Sequence, residues 1–235
     1  MSTNISPQQS QLASGEGLIQ SVSRRKFLMF AGASAGVMAM AASCKKDDDD
    51  NNMSAGVDLG KDDIGILNYA YALEQLEAAF YTEVIKTPYS GMTDGEKALL
   101  TDIRDHEIAH REFFKNALAT AAIPGLEVTF KAVDFTKRDS VLATAKTFED
   151  LGVSAYNGAG RLIKSANYLV LAGKIVSVEA RHAAYIRDLI SNGSFADSSV
   201  IDMNGLDKAL APKDVLAAAA PFIVTKINAS NLPTS

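Results

Sequence analysis

From residue 62 onward, apolar positions recur every three to four residues in four long stretches, the spacing of helix faces that turn toward a core. Within 62–86, Leu67, Ala70, Tyr71, Ala78, Tyr81 and Ile85 keep that spacing. Lys86-Thr87-Pro88-Tyr89-Ser90-Gly91 breaks it. Thr93, with Glu96 three residues on, forms a capping box and opens a second helix to about residue 121. Pro124-Gly125 stops that helix. Val128, Phe130, Val133 and Phe135 then alternate within 123–138. Alternation suits a strand, but no partner strand is in view, so the stretch reads as an extended connection. Asp139 or Ser140 opens a third helix to about 164. A tight turn at 165–167 leads to a fourth helix ending near 191, where Asn192-Gly193 closes it. Residues 211–224 fit a short fifth helix, and the last ten read as a loose tail.

The connection lengths carry the topology. Helices one and two are joined by a short loop, as are three and four, so each pair forms an antiparallel hairpin. The middle connection of about 16 residues can span on the order of 50 Å, enough to run the length of a 25-residue helix of about 38 Å. The expected fold is all-α: a four-helix bundle with a long crossover between helices two and three, plus a short C-terminal helix.

Composition fits one such domain. Of 235 residues, 47% are apolar and 22% charged, a balance that excludes wholesale disorder. The net charge of −5, with no basic block beyond the first thirty residues, argues against nucleic acid as a partner. A single cysteine excludes an internal disulfide and a multi-cysteine zinc site.

The first 61 residues read differently. Ser23-Arg24-Arg25-Lys26-Phe27-Leu28 precedes an uncharged apolar run to Ala42, a secretory pattern too short for a membrane span. The paired Arg24 and Arg25 with Phe27 and Leu28 resemble a twin-arginine export signal. Cys44, after Ala41-Ala42-Ser43, resembles a lipoprotein acylation site, although Ala41 stands where leucine is usual. Residues 1–43 are therefore expected to be a signal peptide, with Cys44 carrying the lipid that anchors the chain to the membrane. Residues 44–61 contain Lys45-Lys46-Asp47-Asp48-Asp49-Asp50 and read as an acidic flexible tether. Residues 62–191 would be the bundle and 192–235 a C-terminal extension. The expected location is the bacterial cell envelope.

The chemistry concentrates in two matching halves. Two of the three histidines close a Glu-x-x-His: Glu107 with His110 and Glu179 with His182. With only ten glutamates in the chain, two such coincidences are improbable. Residues i and i+3 share a helix face, so each pair can offer one oxygen and one nitrogen to a metal. The first helix of each hairpin offers a further acid. Glu74 is preceded by Leu73 and followed by Leu76 and Tyr81; Glu149 is preceded by Phe148 and followed by Leu151 and Tyr156. The aromatic six residues past each second-helix glutamate repeats as Phe113 and Tyr185. Glu77 competes with Glu74 as the first-helix donor, but its counterpart in the other half is Gly152, so the repeat favours Glu74. His106 lies on another face and reads as a rim histidine, and Asp150 points away from Glu149. Asn157-Gly158-Ala159-Gly160 inside the third helix costs about 2 kcal/mol against alanine; close packing, a kink or access to metals would explain it.

Residues 62–191 resemble the ferritin-like superfamily of di-iron carboxylate proteins, near rubrerythrin and bacterioferritin. The resemblance implies Glu74 and Glu149 as terminal ligands, Glu107 and Glu179 as bridges, and His110 and His182 each capping one metal. It implies two iron ions, with manganese as the substitute, and Tyr81 and Tyr156 hydrogen-bonding the ligands. The expected activity is redox chemistry with dioxygen or peroxide: peroxide removal, iron oxidation or oxidation of a small molecule. No four-cysteine electron-transfer module accompanies the bundle, so electrons would come from an external donor. Two alternatives stay open. One is a non-enzymatic metal-binding or structural module, like ferritin-like proteins associated with stress and desiccation. The other is a storage cage, which a lipid anchor disfavours. A homo-oligomer is open as well.

Overall fold

The computed structural model describes residues 56–234. Arg24, Arg25, Cys44 and the expected signal peptide lie outside the described residues, as does most of the expected tether. A short strand β1 (Val57–Asp58) leads into α1 (Asp62–Lys86), α2 (Asp94–Leu118), α3 (Arg138–Gly160) and α4 (Ala166–Ile190). Then come α5 (Pro212–Ala219) and a second short strand, β2 (Ile227–Asn228). The four long helices pack tightest within each hairpin, α1 with α2 and α3 with α4, and α1 also packs against α3. The architecture is therefore the four-helix bundle with a long crossover and a short C-terminal helix. Among the described residues, no helix is long and apolar enough to cross a membrane.

Each helix occupies its place for a local reason. α1 is apolar or small on nearly every side and is buried accordingly, from Gly65 through Tyr81 with little interruption. α2 instead buries one stripe, Leu100, Ile103, Glu107, Phe114 and Leu118, so an acid occupies a core position. Its capping box is complete: Glu96 N–H donates to Thr93 Oγ1 at 3.1 Å, and Thr93 N–H donates to Glu96 Oε2 at 3.0 Å. The other Glu96 oxygen takes Arg138 Nε at 2.7 Å, fixing the start of α3 against α2.

The crossover is held by buried amides on α1. Asn68 Nδ2 donates to the Ala121 carbonyl at 2.9 Å, and its Oδ1 accepts from Ile123 N–H at 3.0 Å. Gln75 Oε1 accepts from Leu126 N–H at 2.8 Å. The alternation at 128–135 serves packing rather than a sheet. Phe130 packs edge-on and Phe135 tilted against Phe80, with centroids 5.7 and 5.9 Å away, and Val128 makes a single antiparallel bridge to Ile223.

The ends of the described chain differ from expectation. The last residues are not a loose tail. β2 pairs in parallel with β1, Val57 opposite Ile227 and Asp58 opposite Asn228, and Leu232 is buried. Residues 57–61, expected as the end of a tether, instead pack onto the fold: Leu59 is wholly buried and its N–H donates to the Asn228 carbonyl. Apolar Val57, Leu59, Ile227 and Leu232 supply burial that an acidic spacer cannot.

Gly158 in α3 permits a close backbone approach. A Cβ there would lie 1.7 Å from the Leu210 carbonyl oxygen. Leu210 N–H donates to the Ser154 carbonyl at 3.0 Å, so the C-terminal extension lies backbone-to-backbone on the helix. Gly158→Ala is expected to lose about 2 kcal/mol, the overpacking penalty exceeding the gain in helix propensity. Thermal unfolding followed by circular dichroism checks this: the midpoint should fall with helix content unchanged.

Candidate metal centre

The structure brings Glu74, Glu107, His110, Glu149, Glu179 and His182 together in the middle of the bundle. All four acids are wholly buried, His182 is 4% exposed and the His110 side chain 13%. Their donor atoms form two overlapping groups. One joins Glu74, Glu107, His110 and Glu179; the other joins Glu107, Glu149, Glu179 and His182. Glu107 and Glu179 belong to both.

The oxygens divide between the halves. His110 Nδ1 lies 3.4 Å from Glu74 Oε2, 3.6 Å from Glu107 Oε2 and 2.8 Å from Glu179 Oε1. His182 Nδ1 lies 2.8 Å from Glu107 Oε1, 3.5 Å from Glu149 Oε2 and 3.6 Å from Glu179 Oε2. Each shared carboxylate thus turns one oxygen to each histidine. Glu74 and Glu149 give each half one oxygen, and a tyrosine from the opposite hairpin holds the other. Tyr81 Oη donates to Glu149 Oε1 at 2.5 Å, and Tyr156 Oη donates to Glu74 Oε1.

The donor set fits a pair of cations. Glu74 Oε2, both oxygens of Glu107 and Glu179, Glu149 Oε2 and Nδ1 of His110 and His182 are buried and face one another without an aligned hydrogen bond. Buried polar atoms of this kind are costly unless something positive sits among them. Each half offers one nitrogen and three oxygens, and four carboxylates balance two divalent charges. Mixed oxygen and nitrogen donors suit iron or manganese.

In the metal-free protein, protons supply that balance. Burial pushes Glu149 up to about 8, with His182 opposing. Burial and then the Glu179 charge raise Glu74 well above the carboxylate range. Burial disfavours charged imidazoles, but Glu107 and the other acids overcome it and raise His110 and His182 to about 12. Burial would raise Glu107 too, yet His110 and His182 beside it bring it down to about 2.

Two neighbours stand beside the cluster without belonging to either donor group. Glu77 is 4% exposed, and its Oε1 faces Gly152, where a Cβ would lie 3.1 Å away. The absent side chain at Gly152 makes room for the acid opposite. His106 is exposed, a rim histidine, yet its Nδ1 lies 2.9 Å from His182 Nε2 and the two ring planes are within 14° of parallel. Asp150 lies off the site and pairs with buried Arg187 at 2.8 and 3.0 Å.

Comparison with known proteins bears on the fold. No curated relative matches the chain. The family described as a ferritin-like domain matches residues 62–192, more than half of the chain and the whole of the helical bundle. On that match and this fold, the chain belongs to the ferritin-like domain family.

Proposed function

We propose that this protein holds two iron ions, or two manganese ions, and performs redox chemistry with dioxygen or peroxide in the cell envelope. The observation that carries the reading is the division of Glu107 and Glu179, whose two oxygens serve both donor groups. Glu74 and His110 would complete one site, Glu149 and His182 the other. Bound iron would supply the electrons that reduce dioxygen or peroxide.

The chain's own residues set the conditions. Tyr81 and Tyr156 hold one oxygen of each terminal acid, leaving Oε2 free to ligate. Complete burial of the four acids favours reactants as small as dioxygen or peroxide over a bulky substrate. That same enclosure fits the second reading, a non-enzymatic metal-binding module, since a sealed site holds ions without needing turnover. Export through the Arg24-Arg25 signal, anchoring at Cys44 and an external electron donor complete the proposal.

Metal analysis of the purified protein after anaerobic iron loading, followed by an oxygen or peroxide consumption assay, decides between the readings. Two ions per chain with rapid consumption support the redox role. Two ions without consumption favour the module, and fewer than one ion per chain sinks the metal centre.

A further inference from the structure

The two halves repeat so closely that their departures are informative. Glu107 and His110 in α2 correspond to Glu179 and His182 in α4, an offset of 72, so His106 corresponds to Val178. Glu74 and Tyr81 in α1 correspond to Glu149 and Tyr156 in α3, so Glu77 corresponds to Gly152. A hydrogen-bonding side chain in one half is thus matched by an apolar or absent one in the other, twice.

Both departures fall on the same side. When His182 Nδ1 faces a cation, Nε2 carries the ring proton, and the 2.9 Å contact makes it a donor to His106 Nδ1. That bond fixes the ring's tautomer and orientation and strengthens its basicity. Among the described residues, nothing hydrogen-bonds the outer nitrogen of His110. Glu77, for its part, meets no hydrogen-bond donor among the described residues. The position that a Gly152 Cβ would fill is 3.1 Å from Glu77 Oε1 and 3.9 Å from Glu179 Oε2. That Glu179 oxygen is the one turned toward His182. Across the gap left by Gly152, Glu77 thus borders the Glu179 oxygen on the side of the better-held histidine.

We propose that His106 is a positioning residue for His182, and that together with Glu77 it makes the two metal positions unequal, the Glu149–His182 position binding more tightly. The inference rests on the dinuclear reading above. Cobalt(II) is a suitable probe, because its spectrum reports coordination and no turnover is needed. Titration of the metal-free protein should show two steps. His106→Val, which installs the residue the other half carries, should weaken the tighter step about tenfold, the scale of outer hydrogen-bond partners, and leave the weaker step in place. His106→Asn, which retains an acceptor, should restore the separation, and Val178→His should tighten the weaker step. His106 is exposed, so these changes leave the core intact. Two ions bound in a single indistinguishable step, or a tighter step unmoved by His106→Val, overturn this inference alone. A wild-type protein that binds no cobalt overturns the dinuclear reading itself.

Discussion

With the proposed pair of ions, Glu107→Ala is expected to empty both positions together, whereas Glu74→Ala empties one. The asymmetry follows from how oxygens are shared. Glu107 Oε2 lies in the group of His110 and Oε1 in that of His182, so its removal takes one donor from each set of four. It also leaves three carboxylates to balance four positive charges. Glu74 serves only the His110 group, and its other oxygen is committed to Tyr156. Affinity at both positions should fall by more than about 100-fold in Glu107→Ala, beyond what outer hydrogen-bond partners control. Metal content per chain, measured after equilibration at fixed free iron, reads this directly. A Glu107→Ala protein that keeps one tightly held ion would mean that the carboxylate does not bridge.

The second large effect concerns acidity. Without metal, the protein should lose stability as pH rises from about 5 to 8, and metal should abolish most of that slope. Glu149 titrates near 8 in the fold and near 4.5 when unfolded, so between those values the native state binds more protons. Glu74 shifts the same way. Stability therefore falls with rising pH across that window. His110 and His182, raised from 6.5 to about 12, are stabilising in full below 6.5 and progressively lose that contribution above it. Glu107, depressed to about 2, acts oppositely, but only below 4.5. The unfolding midpoint of metal-free protein should drop on the order of 10 °C between pH 5 and 8. Bound cations displace the same protons, so loading should release protons and flatten the curve. Calorimetry at several pH values, with and without manganese, checks both. A metal-free midpoint that rises toward pH 8 would contradict the proton-filled cluster.

Much of this was written in the chain, for identifiable reasons. The α2 stripe of Leu100, Ile103, Glu107, Phe114 and Leu118 places an acid where helical spacing demands an apolar side chain. The same occurs in α4, where Ile175, Glu179, His182 and Ile186 share a buried face. Such a pattern is legible because period and chemistry conflict at these positions. The neighbours of the cluster were hidden because they depend on contacts across helices. Glu77 looked like a rival to Glu74, and only the packing of α1 on α3 reveals that Gly152 is small to accommodate it. His106 sits on an outward face of α2, yet it reaches His182 of another helix. The pairing of β1 with β2 joins positions about 170 residues apart, which local periodicity does not encode.

That pairing bears on how the bundle withstands force. Val57 N–H bonds the Lys226 carbonyl at 2.7 Å and Leu59 N–H bonds that of Asn228 at 3.1 Å, in parallel register. A pull along the axis of β1 would load these bonds together in shear rather than peel them one at a time. In sequence this pairing precedes the first turn of α1, so a load of that kind would meet the two strands before it met the helix that carries Glu74.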